Sequence, residues 1–279
     1  MSEIEVWQSV VLGVVEGITE FLPVSSTGHL TITEQLLGLD IKDEAVTAYT
    51  AVIQIGAIFA AIIYFFKDIV RVVKAWVSGL FSATARQDPD WRFSWYVIVG
   101  SIPVGIVGFL AQDLIKGGLR SLWVVAAALI LWSIPMAFAE HAATQIKGER
   151  GLTMKDSIII GLTQCLSLIP GVSRSGATIT AGLLRDLDRV TATRLSFLLG
   201  IPALTAAGLY ELKDAISGPS VSTVALAVGT IVSFVVAYAA IAWLLKFVAH
   251  HSIMVFVWYR VALGLGIMAL LVTGAITAY

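Results

Sequence analysis

Residues 16–29 read Glu16-Gly-Ile-Thr-Glu20-Phe-Leu-Pro23-Val-Ser25-Ser26-Thr27-Gly28-His29. This run interrupts an apolar stretch that extends from Val6 to Leu37. A second run, Pro170-Gly-Val-Ser173-Arg174-Ser175-Gly176-Ala-Thr178, interrupts the apolar stretch from Ser157 to Leu184 in the same way. Each stretch is two short apolar pieces around a polar break. In hydrocarbon every backbone polar group must be satisfied internally, so such a break survives only buried in protein or lining a wet cavity. Both stretches therefore predict re-entrant hairpins of paired half-helices, not full crossings.

The rest of the chain supplies the crossings. Of 279 residues, 58% are hydrophobic and 13% charged, and the net charge is -1. Mean hydropathy is +0.89. A soluble domain carries about 25% charged residues, so a soluble enzyme and a disordered chain are both excluded. Near-neutrality also removes the basic field that nucleic acid requires. A membrane span takes about 20 residues. Six apolar runs meet or approach that length: Ala45–Phe66, Phe93–Leu110, Leu122–Ala139, Leu195–Tyr210, Ser222–Leu245 and Ile253–Ala278. Cys165 is the sole cysteine, which rules out an intramolecular disulfide. Glu3 and Glu5 precede the first apolar run where a secretory leader would be basic, so no cleavable signal is expected.

Charge distribution orients these spans. With the loop from Lys67 to Arg92 inside the cell, twelve basic residues fall inside and four outside, with Arg174 and Arg260 at membrane depth. That bias follows the positive-inside tendency and puts both termini outside.

The two broken stretches align without gaps at an offset of 148. Gly13 falls on Gly161, Glu16 on Gln164, Val24 on Val172, Ser25 on Ser173, Ser26 on Arg174 and Gly28 on Gly176. Each half then holds one hairpin and three spans, repeat 1 covering about 6–139 and repeat 2 about 157–278 of a single membrane domain, 1–279. Three crossings is an odd number, so the second half inserts upside down. The predicted fold is an all-α polytopic membrane protein with an inverted-topology repeat, its hairpin tips meeting near the midplane.

Those tips carry the candidate chemistry. Glu16 and Glu20, at i and i+4, share one helix face. Two adjacent anions in an apolar segment call for a partner, and a divalent cation with oxygen ligands, Mg²⁺ or Ca²⁺, is a natural one. The alternative is two acids facing water at the membrane edge. Ser25, Ser26, Thr27 and Gly28 stand where a half-helix N-terminus would present N–H donors to a phosphate, and His29 is a proton-transfer group or nucleophile. Plain helix capping is the alternative for the hydroxyls. Arg174, flanked by Ser173, Ser175, Gly176 and Thr178, is costly at membrane depth unless it meets an anion, and its planar fork suits phosphate. An ion pair with Glu16 or Glu20, or a side chain reaching to the cytoplasm, would also compensate it. Arg260 lies beside Trp258 and Tyr259 and reads as a membrane-interface anchor. The basic, apolar segment Arg71–Phe81 is expected along the inner membrane surface.

The two long runs resemble the paired signatures of the undecaprenyl-diphosphate phosphatases, also called bacitracin-resistance proteins, in order, spacing and surrounding hydropathy. The resemblance implies a multi-pass protein of the bacterial inner membrane, its site facing the periplasm, that removes the terminal phosphate of undecaprenyl diphosphate with a divalent cation. It implies recycling of the lipid carrier for peptidoglycan and resistance to bacitracin. The family residues that carry over are Glu16, Glu20, Ser26, His29, Ser173, Arg174 and Thr178. Ser26, His29 and Arg174 are then expected to be catalytic, Glu16 and Glu20 to hold metal, and the remaining tip residues to bind substrate. Attack by Ser26, by His29 or by water stays open, as does a homodimer. A lipid-carrier transporter or flippase with the same charged site is the rival reading, because broken helices and inverted repeats are transporter features.

Overall fold

The computed structural model describes residues 4–41, 43–111, 119, 121–217 and 222–278. Among them every regular element is helical. In chain order these are α1 (Val6–Thr19), α2 (Ser26–Leu36), α3 (Glu44–Tyr64), α4 (Phe66–Phe81), α5 (Pro89–Leu110), α6 (Leu122–Ala142), α7 (Met154–Gln164), α8 (Arg174–Leu184), α9 (Arg189–Ser217), α10 (Thr223–His250) and α11 (Met254–Val272). Six of them, α3, α5, α6, α9, α10 and α11, are long and apolar enough to cross a membrane. These are the six segments expected from the sequence.

Polar caps set the ends. Asp88 accepts from the Asp90 N–H, and Pro89 occupies the first turn of α5, where its missing donor costs nothing. Ser121 starts α6 and a reciprocal Thr153–Asp156 capping box starts α7. Helix α9 begins at Arg189, ahead of the expected Leu195. Asp188 explains the difference: its carboxylate accepts from the Thr191 backbone N–H at 2.8 Å and opens the helix one and a half turns early. Prolines 103, 135 and 202 lie inside α5, α6 and α9 without ending them.

Both interrupted stretches are pairs of short helices. At about 1.5 Å per residue, α1 and α2 are roughly 21 and 17 Å long, short of the ~30 Å hydrocarbon thickness. Ser25 and Ser173, 148 residues apart, take the same left-handed backbone at the start of α2 and α8, with φ of 73° and 74°. For a non-glycine residue that conformation is uncommon.

Small residues let these helices approach their neighbours. Helix α1 lies against α10, where Gly13 faces the Gly229 carbonyl and Gly17 faces Ser233. Helix α7 lies against α5, where any Cβ on Gly161 would collide with the Gly100 backbone. The Ser157 hydroxyl donates to the Tyr96 carbonyl at the same seam. Close packing of small residues is how helices associate where lipid supplies no hydrophobic drive. The first short helix of each broken stretch thus packs on a long helix of the other half. Helices α3 and α9 also pair, as do α6 and α11. In the core, Phe197 meets Phe21 edge-on and Phe65 at a tilt, with centroids 5.3 and 5.7 Å apart.

Charges gather at one end of the bundle. Arg71 on α4 meets Asp90 at 2.6 Å and Glu149 at 2.9 Å, Arg194 meets Asp68 at 2.8 Å, and Arg189 meets Glu140. The buried Asp156 accepts from Arg185 at 2.7 Å. In the loop before α9, the hydroxyl and N–H of Thr144 hold the Asp186 carboxyl below the usual carboxylate range.

Candidate functional site

The α1–α2 turn folds the chain back on itself. Glu16 in the last turn of α1 and Glu20 just beyond it are both buried. Ser26 opens α2 and donates from Oγ to Glu20 Oε2 at 2.8 Å. No side chain caps the N-terminus of α2, and Thr27 there is exposed. Gly28 lets α2 rest on α6, since a Cβ would sit 2.9 Å from Val125 Cγ1. Glu16 Oε1 is buried and finds no hydrogen-bond partner among the described residues. A buried charge without a partner is costly, so that oxygen marks a place where a cation or donor belongs.

The α7–α8 turn lies against the first turn. Arg174 Nη2 lies 3.5 Å from Glu20 Oε1, and Nη1 donates to the Ser196 carbonyl at 3.2 Å. Its guanidinium stands 5.7 Å over the Phe21 ring, and Nε has no partner among the described residues. Ser175 donates across the gap to the Leu22 carbonyl at 3.0 Å, joining the two turns. Ser173 Oγ accepts from the Gly176 N–H at 3.2 Å and so caps α8. Thr178 shares its hydroxyl with Ser196 Oγ at 2.6 Å and the Arg174 carbonyl at 2.9 Å. Ser175 and Thr178 are buried, their hydroxyls engaged within the protein.

The two runs therefore meet. Glu20 sits between them, holding Ser26 with one oxygen and Arg174 with the other. Of the compensations open to Arg174 in the sequence, the ion pair with Glu20 is the one present. The ring nitrogens of His29 have other partners: Nδ1 is 2.7 Å from the Ser25 carbonyl and Nε2 is 2.7 Å from Tyr259 Oη. The hydroxyl of Ser26 is bonded to a carboxylate rather than to the imidazole.

Arg260 corrects the sequence reading. It was expected as an interface anchor, yet its relative exposure is 0%. Nη1 donates to the Pro23 carbonyl at 3.2 Å and Nη2 to the Gly171 carbonyl at 2.9 Å. Residues 23 and 171 are again 148 apart, so one guanidinium holds equivalent carbonyls of both turns. Nε adds Ser133 Oγ at 3.3 Å. Trp258 and Tyr259 are exposed, but successive helix residues are rotated by about 100°, which turns Arg260 inward. The signal was in the sequence: Arg260 is the sole charge between Ile253 and Ala278, the feature that singled out Arg174.

No group of three or more His, Cys, Asp or Glu side chains converges among the described residues. Glu16 and Glu20 are the two buried carboxylates at the α1–α2 turn, fewer than the oxygen ligands a divalent cation takes.

A family model described as bacitracin resistance protein BacA matches residues 9–266. The chain is 57% identical over 270 residues to an undecaprenyl-diphosphatase of Acidothermus cellulolyticus, covering 97% of this chain and 98% of that one. It is 57% identical over 279 residues to undecaprenyl-diphosphatase 1 of Frankia alni, covering both chains completely. An undecaprenyl-diphosphatase of Mycolicibacterium smegmatis is 51% identical over 275 residues, with 97% and 98% covered.

Proposed function

Because the chain belongs to the bacitracin resistance protein BacA family, we propose that it hydrolyses undecaprenyl diphosphate to undecaprenyl phosphate and inorganic phosphate. It is a multi-pass membrane phosphatase that returns the lipid carrier to peptidoglycan synthesis. Relief of bacitracin inhibition follows from removing the diphosphate. The single observation that carries the chemistry is Glu20, which joins a hydroxyl from one turn to a guanidinium from the other.

The division of labour follows from the residues. The prenyl tail stays among apolar helix faces, where burial alone retains it. Arg174 offers a planar set of donors to phosphate oxygens, and exchanging the Glu20 carboxylate for a phosphate keeps its charge compensated. The uncapped start of α2 offers backbone N–H groups to the same anion. Attack on the terminal phosphorus forms one P–O bond and breaks the bond to the bridging oxygen, which leaves with the prenyl phosphate. With Ser26 as the attacking hydroxyl, its proton passes to Glu20, and water then attacks the phosphoserine to release inorganic phosphate; the Ser26–Glu20 hydrogen bond supports this assignment. His29 is the second proton-transfer group. A divalent cation held by Glu16 and Glu20 would neutralise charge building on the diphosphate oxygens. The unpartnered Glu16 Oε1 supports that assignment.

The inverted repeat with two re-entrant hairpins is part of this proposal. Its support is the offset of 148 that links Ser25 with Ser173 in backbone, Pro23 with Gly171 in their grip on Arg260, and Gly13 with Gly161 in close helix approach. The excess of basic residues on one side supports a site open to the outside, with both termini there.

Phosphate release from undecaprenyl diphosphate by the purified protein in detergent, with and without chelator, tests the function. Release that stops with chelator and returns with Mg²⁺ or Ca²⁺ is expected. Binding of the lipid without release would favour a carrier that only moves it.

A further inference from the structure

Both ring nitrogens of His29 are engaged. The Ser25 carbonyl at 2.7 Å only accepts, so Nδ1 carries the proton. In the neutral ring Nε2 is then the lone-pair nitrogen, and the Tyr259 hydroxyl 2.7 Å away donates to it. The two rings are parallel, with centroids 5.6 Å apart and planes within 3°. The imidazole is thus fixed in tautomer, position and plane. Tyr259 comes from α11, 230 residues further along the chain, and is mounted next to Arg260. Since Arg260 holds the Pro23 and Gly171 carbonyls, the backbone that carries Tyr259 is fastened to both turns of the site.

We propose that Tyr259 is a positioning residue for the reaction, holding His29 as the Nδ1–H tautomer so that Nε2 is the nitrogen that exchanges protons with the reacting groups. The inference rests on the reading of His29 as a proton-transfer residue. The nitrogen left basic by this arrangement is the one the tyrosine covers. A proton reaching Nε2 therefore displaces the hydroxyl or passes through it. In the second case the arriving proton bonds to Tyr259 Oη while the tyrosine's own proton moves to Nε2. Tyrosine ends neutral and His29 ends as imidazolium, so the proton count balances.

Tyr259→Phe keeps the ring and removes the hydroxyl. With a prenyl diphosphate in detergent, kcat is expected to fall about tenfold, a fraction of the ~10²–10⁴-fold that a general acid or base supplies. KM is expected to stay within about twofold. Trp258→Phe, on the exposed face of the same helix, controls for disturbance of α11 and should change neither constant. Independently of any variant's folding, ¹⁵N spectra of the histidine-labelled full chain should show His29 protonated at Nδ1 and bare at Nε2 near neutral pH. A kcat loss smaller than about threefold, a loss carried by KM alone, or a His29 proton on Nε2 would overturn the proposal. Failure of the unsubstituted protein to release phosphate would instead overturn the functional reading beneath it, and the tautomer spectrum would still stand or fall by itself.

Discussion

Arg174 Nη2 lies 3.5 Å from Glu20 Oε1, although 154 positions separate the two residues. Both side chains are almost wholly buried. Neither charge is tolerable there alone, so each half of the protein carries the other half's counter-ion. The pair also keeps each charge compensated while no other ion is bound.

Replacing Arg174 by Ala removes the fork and strands Glu20 as a buried, uncompensated charge. Turnover should fall by two orders of magnitude or more, while the protein still inserts in the membrane. Arg174→Lys should restore little, because a point charge does not reproduce planar, two-pronged contact. Phosphate release measured on membrane-extracted protein decides this, and turnover near the starting value would remove Arg174 from the mechanism.

Glu16→Gln keeps the shape and removes the charge at the unpartnered Oε1. The cation concentration that gives half-maximal activity should rise at least tenfold. A metal titration that superimposes on that of the unsubstituted protein would show that Glu16 is not a ligand.

Arg260→Met should cost stability as well as rate. The substitution leaves the carbonyls of Pro23 and Gly171 without their donor, and each buried unsatisfied group costs about 1–3 kcal/mol. Thermal unfolding in detergent should begin several degrees lower. An unchanged melting temperature would mean that the two turns hold together without the guanidinium.

Topology is open to a direct test. With Cys165 replaced by Ala, a cysteine introduced at Asp40, between α2 and α3, should react with an impermeant thiol reagent added outside intact cells. One introduced at Ser82, after α4, should react only after lysis. The reverse pattern would invert the orientation drawn from the basic residues.

Much of this arrangement is legible in the chain because hydrocarbon allows few solutions. The six long apolar runs and the two broken ones carry their lengths in plain sight, and the breaks coincide with Pro23 and with Pro170-Gly171. That Glu20, Ser26 and Arg174 converge follows from the offset of 148. What the chain hides is direction around a helix. Arg260 was read with its neighbours Trp258 and Tyr259, which face outward, whereas its own side chain turns to the core. The start of α9 is hidden for a similar reason: Asp188 caps it, but hydropathy reports only apolar residues. The partner of His29 could not be foreseen either, because Tyr259 lies on the last helix and in no motif.

The most direct test of the account compares one variant from each turn in a single assay of phosphate release from undecaprenyl diphosphate. If both turns build one chamber, Ser26→Ala and Arg174→Ala should each abolish nearly all release, and the double variant should be no worse than the weaker single one. Robust release after either change alone, or losses that simply multiply, would mean that the two turns act separately and that the shared site does not exist.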